Sequence, residues 1–284
     1  MIAPNHSFER TSPTDRRSTQ TLGVMTTSTA ICSANQAVSA DVRNFILHVH
    51  DVKEESITDY LAWRWSELDR RFRYLSMRTF NHCEESSLTG ADFDLELWLV
   101  DRESHLSLAV QAKKFIKPYD SYVRKLRYPN DTKQQMSALL SYANINAKLP
   151  FYFIYSVPGN GTTLLCNAGA HDGAVFMADA NVMEEFADGK HGKRIARDDL
   201  LAKSKPFHCL FCCLHGPTGS YLSTYFHKAA GNSPKRSNEA LPVYVRRILD
   251  GENPDVTKKE AQRPSNEGWE RFKAVGVYDL RNDA

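Results

Sequence analysis

Two neighbouring stretches, in which apolar and polar residues alternate, constrain the fold of this 284-residue chain more than any other feature. They span residues 92–99 and 106–113, with the polar residues 101–104 between them. Because a period of two residues is typical of a β-strand with one apolar face, the two stretches predict a β-hairpin. The other face of the hairpin carries three acids, an amide and a lysine: Asp92, Asp94, Glu96, Gln111 and Lys113.

A tight turn at residues 102–103 would pair residues whose numbers sum to 205. Asp94 then lies opposite Gln111, and Asp92 lies opposite Lys113. Side chains opposed in this way have Cβ atoms about 4.5–5.5 Å apart, so the polar groups would form one patch. The alternative interpretation is an ordinary half-solvated hairpin, whose acids and lysine form cross-strand ion pairs.

Such a patch suits a divalent cation and the hydrolysis of a phosphodiester. The acids repel one another unless a cation neutralises them, and Mg²⁺ or Mn²⁺ prefers oxygen ligands of this kind. Gln111 offers a neutral carbonyl oxygen. Lys113 supplies a positive charge that could orient an attacking water molecule or offset charge on a phosphoryl group. The candidate metal ligands, including an acidic pair that precedes the hairpin, are Glu84, Glu85, Asp92, Asp94 and Gln111.

An amphipathic helix is predicted at residues 54–72, because apolar residues recur there at steps of three and four. Asp51 is its candidate N-cap. The first turn carries Glu54 and Glu55. Glu54 lies three residues after Asp51, so one interpretation is that it only completes a capping interaction and complements the helix dipole. The apolar stripe comprises Ile57, Leu61, Trp65, Leu68 and Phe72.

Three motifs follow one another along this part of the chain: the acidic helix start, Gly90-Ala91-Asp92, and a hairpin that ends in Gln111-Ala112-Lys113. This order resembles the PD-(D/E)xK nuclease superfamily, in its variant with Gln in place of the second acid. More narrowly, the segments EESITD, TFNHCEESSLTGADFD, VQAKKF, a helix that bears Gln135, and PFYFIYS are similar to an uncharacterised bacterial domain family with this signature. The resemblance covers residues 50–215, approximately.

The resemblance implies a restriction-endonuclease-like core, in which helices flank a central mixed β-sheet. It implies that Asp92 binds the metal, that Gln111 is a metal ligand through its side chain and that Lys113 is the catalytic lysine. Glu54 or Glu55 would match the glutamate of the first helix. Helical periodicity favours Glu54, which lies on the apolar stripe. The superfamily usually has proline before its aspartate, whereas this chain has alanine there.

A basic and aromatic stretch at residues 111–135 is a candidate nucleic-acid interface. It contains seven Lys or Arg against two Asp, interleaved with four aromatic residues. Such a mixture suits a groove that follows phosphates and stacks bases. The net charge of +2 on the whole chain does not by itself identify a polyanionic partner, so a nucleic-acid site must come from local charge of this kind. The alternative is a solvated loop and helix face. The candidate contacts are Lys114, Lys117, Arg124, Lys125, Arg127 and, on the following helix, Gln135.

The remaining pattern predicts an α/β fold with a central mixed sheet flanked by helices. The hairpin is followed by a helix at about residues 131–147, a buried strand at about 151–155 and a helix near 179–187. The Ser-, Thr- and Pro-rich start of the chain cannot bury enough surface to fold, and the end is rich in turn-forming and charged residues. The predicted organisation is a disordered tail, a single nuclease-like domain and a linker or tail, at residues 1–39, 40–250 and 251–284.

The six cysteines are too few and too irregularly spaced for a disulfide framework, which favours a reducing compartment and a cytoplasmic location. No stretch reaches the roughly 18 apolar residues that a membrane span needs. Cys209 and Cys212 lie between His208 and His215, so this segment has the residue types of a zinc site. A buried apolar run with inert thiols is the alternative that its apolar neighbours favour.

Together these features predict a metal-dependent endonuclease that acts on nucleic acid, with Mg²⁺ or Mn²⁺ as its cofactor. DNA is the expected substrate, and the sequence does not distinguish it from RNA. The resemblance alone implies a role in bacterial restriction or anti-phage defence. A second copy of the chain or a regulatory protein is a candidate partner. The alternative is a nucleic-acid-binding or assembly module that keeps the fold and does not cleave, and a zinc-stabilised interaction protein is a third hypothesis.

Overall fold

The computed structural model describes residues 27–72, 75–79, 93–100, 102, 104–116, 119–120, 129–130, 133–166, 172–192, 194–212, 236–251, 272–279 and 281. The helices in these ranges are α1 Thr27–His48, α2 Glu54–Phe72, α3 Gln135–Ile145, α4 Ala180–Ala187, α5 Arg197–Leu201, α6 Cys209–Cys212 and α7 Val243–Leu249. The strands are β1 Leu75–Thr79, β2 Phe93–Val100, β3 Ser104–Lys114, β4 Tyr119–Asp120, β5 Pro129–Asn130, β6 Lys133–Gln134, β7 Leu149–Tyr155, β8 Val175–Asp179, β9 Ile195–Ala196, β10 Lys205–Pro206, β11 Arg236–Ser237 and β12 Phe272–Asp279.

The long strands form one mixed sheet in the order β1-β12-β2-β3-β7-β8-β10, and β11 pairs with the start of β3. Strand β12 runs parallel to β2, and β3 runs parallel to β7, whereas the other neighbours are antiparallel. Because β3 and β7 are parallel, the chain crosses between them through α3 as a β-α-β unit. The predicted α/β fold, with a central mixed sheet flanked by helices, is confirmed. It is compatible with a restriction-endonuclease-like core.

Strands β2 and β3 pair in the register that the sequence predicts. From Leu95 opposite Val110 to Val100 opposite His105, the two residue numbers sum to 205. This register turns the leucines of both strands to one side of the sheet. Helices α1 and α2 cover that side, and their buried residues form a first hydrophobic core with the leucines.

The other side of the sheet is also covered, so the half-solvated alternative for the hairpin is wrong. Helices α3, α4 and α7 contribute Met136, Phe186 and Val245 to a second core, which includes Trp98 of β2. Glu96 lies on this side of β2 and has no exposed surface. A charged side chain on this side therefore lies inside the protein, where it needs a partner.

Helix α2 has the predicted bounds, and Ile57, Leu61 and Trp65 of its apolar stripe are buried in the first core. The predicted N-cap at Asp51 is wrong, because the helix starts three residues later. The N–H of Ile57 donates to the carbonyl of Lys53 at 3.2 Å, and Asp51 lies in the preceding turn with φ of 52°. Asp is one of the few residues that adopt this left-handed conformation readily.

The predicted disordered tail at residues 1–39 is wrong in its described part, which belongs to α1; the rest lies outside the described residues. Polar side chains of α1 form hydrogen bonds with groups in the core. The Trp65 indole donates to Asn35 Oδ1 at 3.1 Å, and the N–H of Ala174 donates to Ser39 Oγ at 3.1 Å. Composition suggests solvated residues here, whereas buried Asn and Ser act as hydrogen-bond partners.

The predicted C-terminal tail at residues 251–284 is also wrong in part, because it contains β12. This strand lies between β1 and β2, and Val275 is fully buried, with Arg78 and Glu96 as its neighbours on the two sides. Its partners lie far away along the chain. Pairing over such a separation leaves no local trace beyond the alternation of the strand itself.

The cap of α4 predicts a pH dependence of stability. The Asn181 N–H donates to the side chain of Asp179 at 2.8 Å, and burial raises the pKa of Asp179 above its ordinary value. The folded protein thus holds this proton more tightly than the unfolded chain, so stability falls as the pH rises from the ordinary carboxyl pKa through the raised one. We expect Asp179→Asn, which keeps the capping oxygen, to increase the free energy of unfolding at pH 7.

Urea unfolding of both proteins at pH 7 and at about pH 3 measures this effect. The advantage of Asp179→Asn should shrink at the lower pH, where the carboxyl group is protonated in both states. An equal difference at the two pH values would show that the burial of the charge is not its cause.

Candidate active site

An ion pair joins the first turn of α2 to the end of β3. Glu54 Oε1 accepts a hydrogen bond from Lys113 Nζ at 3.0 Å, and Glu54 Oε2 accepts one from the backbone N–H of Lys114 at 2.7 Å. The interpretation in which Glu54 only caps its own helix is therefore wrong. Of the two candidate glutamates, the structure brings Glu54 to Lys113 and leaves Glu55 exposed to solvent.

Two further contacts fix the start of α2 against the sheet. The buried hydroxyl groups of Thr58 and Tyr155 lie 3.0 Å apart, and Thr58 Oγ1 also donates to the carbonyl of Glu54 at 3.2 Å. Lys114 Nζ donates to the carbonyl of Val52. Because Tyr155 ends β7 and Lys114 ends β3, the first turn of α2 is held by two adjacent strand ends. Glu54 is thereby positioned by the fold.

Lys113 and Gln111 lie on the same side of β3, since they are two residues apart. They are 8% and 3% exposed, respectively. A lysine in the interior is costly unless it is paired, and Glu54 supplies the pairing. The carboxylate of Glu54 and the amide oxygen of Gln111 are the oxygen donors that a hard divalent cation prefers, and a carboxylate has about four lone-pair positions, enough to serve a lysine and a cation.

Gln135 begins α3 on the same side of the sheet. The helix packs on β3 and β7, and its last turn leads into β7, which starts opposite Leu108. Its first residue therefore lies toward the end of β3 that carries Lys113. Gln135 is half-buried, and its Oε1 is shielded from solvent and accepts no hydrogen bond from the described residues. Gln135, a candidate nucleic-acid contact by sequence, thus lies on the same side of the sheet as Lys113 and toward the same end.

Several predicted site residues cannot be placed. Asp92, Glu84 and Glu85 lie outside the described residues, as does the side chain of Asp94. The ranges that are described contain no group of three or more His, Cys, Asp or Glu residues that could hold a metal ion. The predicted contacts that also lie outside are Lys117, Arg124, Lys125 and Arg127.

Glu96, the third acid of the hairpin, belongs to a buried network that the sequence analysis missed. Glu96 Oε1 accepts a hydrogen bond from Lys148 Nζ, and Glu96 Oε2 accepts one from the Tyr244 hydroxyl at 2.6 Å. Lys148 Nζ also lies 4.3 Å from the centre of the Trp98 ring. Burial and the neighbouring Glu96 raise the pKa of Tyr244 far above its ordinary value, so this hydroxyl stays a donor. No local pattern links Glu96 to Lys148, 52 residues later.

The cysteines form no zinc cluster in the described part of the chain. Cys209 forms no disulfide and is buried beside the buried His208, which agrees with an apolar run. Cys32 on α1 is disulfide-bonded. Cys166, between β7 and β8, forms no disulfide. Among the helices described above, none is long and apolar enough to cross a membrane.

Comparison with known proteins identifies a family and no activity. A search of the curated proteins and a search of the solved structures gave no match. The model of one protein family, described as a family of unknown function (DUF6615), matches residues 31–273. This range includes both ends of the Glu54–Lys113 ion pair and extends to the start of β12. Since the match spans well over half of the sequence, the chain belongs to this family of unknown function.

Proposed function

We propose that this protein is a metal-dependent endonuclease that hydrolyses phosphodiester bonds of nucleic acid, with DNA as the preferred substrate. The observation that carries the proposal is the ion pair between Glu54 and Lys113 at the end of β3. It brings a carboxylate from the first helix and an almost buried lysine to one place, with Gln111 on the same side of the strand. These are the residues that the resemblance to the PD-(D/E)xK superfamily assigns to catalysis.

In this proposal Asp92, Gln111 and Glu54 hold Mg²⁺ or Mn²⁺. Asp92 lies outside the described residues, so its inclusion rests on the resemblance and on the alternation of the sequence. The bound ion would supply a more acidic water molecule and neutralise charge on the phosphate. Glu84, Glu85 and Asp94 remain candidate ligands by sequence.

Lys113 has a role of its own in this scheme. Its ammonium group is held by Glu54 at 3.0 Å and is largely shielded from solvent. A positive charge that is positioned in advance, in a region of low dielectric constant, stabilises developing negative charge more than a mobile surface lysine does. We propose that Lys113 either orients the attacking water or stabilises the negative charge that develops on the phosphoryl oxygens.

The nucleic-acid partner of the proposal rests on the basic stretch at residues 111–135. A setting in bacterial restriction or anti-phage defence rests on the resemblance, and a second copy or a regulatory protein remains a candidate partner. The cytoplasmic location rests on the spacing of the cysteines. The disulfide of Cys32 argues against it, because disulfides are rare in reducing compartments.

A cleavage assay tests the proposal. Purified full-length protein is incubated with supercoiled plasmid, single-stranded DNA and RNA, with Mg²⁺ or Mn²⁺ and then with a chelator. We expect the plasmid to be nicked or linearised with either metal and the chelator to stop the reaction, because the hydrolysis needs the bound ion. If none of the three substrates is cut with either metal, the assignment as an endonuclease fails.

One observation favours a second candidate, a module of the same fold that binds nucleic acid without cutting it. Both carboxylate oxygens of Glu54 are engaged by β3, one by Lys113 and one by Lys114. Glu54 could therefore serve only to hold the start of α2 against the end of β3. Both candidates predict binding that weakens with salt. They differ in that this module yields no product in the cleavage assay although it binds the substrate.

A further inference from the structure

A tight turn follows β7 at the end of the sheet that carries Lys113. Tyr155 pairs with Lys114, and Gly159 lies only four residues further along the chain. The N–H of Thr162 donates to the carbonyl of Gly159 at 3.2 Å, which closes the turn. Gly161, at its third position, has φ of +94°, a conformation that favours glycine in a type II turn. The turn therefore has a defined shape.

Side-chain hydrogen bonds join this turn to the start of α5. Thr162 Oγ1 accepts a hydrogen bond from the N–H of Gly159 at 2.9 Å and donates one to Asp198 Oδ1 at 2.6 Å. The same carboxylate oxygen accepts from Nε of Arg197 at 3.3 Å. Asp198 thus fixes the arginine and the turn relative to each other.

The guanidinium group of Arg197 lies directly against the backbone of Gly159. A Cβ atom at Gly159 would be 2.6 Å from Arg197 Nη2, so only glycine leaves room for the group in this position. The Arg197 side chain is 15% exposed, an unusual degree of burial for a charged group. Within the described ranges, Asp198 is the acceptor that reaches it, through Nε. The two terminal nitrogens of Arg197 donate to no side chain or carbonyl in the described ranges and can therefore bind an anion.

Arg197 and Lys113 lie on the same side of the sheet and at the same end. Ile195 and Leu200, which flank Arg197, belong to the second core with Phe115, two residues after Lys113. Strand β9 immediately precedes Arg197. It pairs with β4, which follows the end of β3 in the chain. The four residues from Tyr155 to Gly159 span at most about 15 Å, so the turn lies within a few nucleotides' length of the end of β3.

We propose that Arg197, seated on the turn of Gly159, binds a backbone phosphate of the nucleic acid a few nucleotides from the phosphodiester at Lys113. This inference rests on the proposed function, because it extends the same site. A guanidinium group matches the geometry of a phosphate with two parallel N–H donors. A single arginine is a weak site for free phosphate, so the occupant is a polynucleotide that also occupies the proposed active site at Lys113.

Fluorescence anisotropy tests this site without any cleavage. A labelled oligonucleotide, single- or double-stranded and in two unrelated sequences, is titrated with full-length protein in a chelator at several salt concentrations. For Arg197→Ala we expect the Kd to rise about tenfold on every sequence. The slope of log K against log salt should become shallower by about one, because one phosphate contact is lost.

Two variants serve as comparisons. Gly159→Ala keeps the charge, but its methyl group displaces the guanidinium, so it should weaken binding in the same direction. Arg70→Ala removes an exposed arginine of α2, 74% exposed and about 24 Å along the helix from Glu54, and should leave the Kd unchanged. Thermal unfolding shows which variants are folded. If Arg197→Ala does not fold, Gly159→Ala decides the test.

The outcomes separate this inference from the proposed function. The inference is overturned if Arg197→Ala and Gly159→Ala bind like Arg70→Ala, even when the wild-type protein cleaves DNA. It stands, and the endonuclease proposal fails, if the wild-type protein cuts no substrate while its binding depends on Arg197. Absence of any binding by the wild-type protein overturns both.

Discussion

Replacement of Lys113 by methionine is expected to reduce metal-dependent cleavage by a factor on the order of 10²–10³, the usual effect of removing one preorganised charge from a hydrolytic site. Methionine keeps the length and the apolar part of the side chain and removes only the ammonium group. The rate of plasmid nicking under single-turnover conditions measures the loss, because this rate isolates the chemical step from product release.

The matched control is Lys190→Met, which removes a solvent-exposed lysine after α4. It should nick plasmid at the wild-type rate. Asp92→Ala should lose activity as fully as Lys113→Met, since both act on the same step. Thermal unfolding must show that each variant is folded. A folded Lys113→Met protein with the rate of Lys190→Met would remove Lys113 from catalysis.

Replacement of Lys148 by methionine is expected to cost about 3–5 kcal/mol of unfolding free energy, because it leaves the carboxylate of Glu96 buried without its cation. Glu96 has no exposed surface, and its remaining described donor is the Tyr244 hydroxyl. The charge cannot move to water without opening the second core. Urea unfolding at pH 7 measures the loss.

A double-mutant cycle isolates the interaction of the pair. Glu96→Gln together with Lys148→Met removes both charges and should recover much of the stability that Lys148→Met alone loses, because no unpaired charge remains. Lys203→Met, at an exposed position after α5, is the control for the loss of a lysine as such. Additive effects of the two single changes would contradict a coupled buried pair.

The hairpin is the part of the structure that the sequence predicts in most detail. Alternation assigns the faces of β2 and β3, and the two-residue turn sets their register, because a slip by one residue would turn every leucine to the wrong side. The approach of Glu54 to Lys113 agrees with the helical stripe, on which Glu54 lies. These features depend on local periodicity, which a few consecutive residues are enough to reveal.

The features that the sequence analysis missed depend on contacts between distant segments. Strand β12 pairs with β2 across most of the chain, and α1 uses Asn35 and Ser39 as buried partners, although they look like residues of a solvated tail. Glu96 lies on the polar face that the alternation predicts, but its buried ion pair with Lys148 depends on a residue 52 positions later. The approach of Arg197 to Gly159 likewise arises only once α5 packs beside the turn. No local periodicity of the sequence encodes these long-range contacts.

The proposed endonuclease activity requires that Asp92 and Gln111 share a metal ion next to Lys113. A crystal structure of the protein with Mn²⁺, located by its anomalous scattering, tests this most directly. We expect one ion bound by Asp92 and Gln111 at the end of β3, within reach of Lys113 Nζ. An Asp92 carboxylate that points away from Lys113, or a site closed to ion and solvent by a packed helix, would contradict the proposed activity.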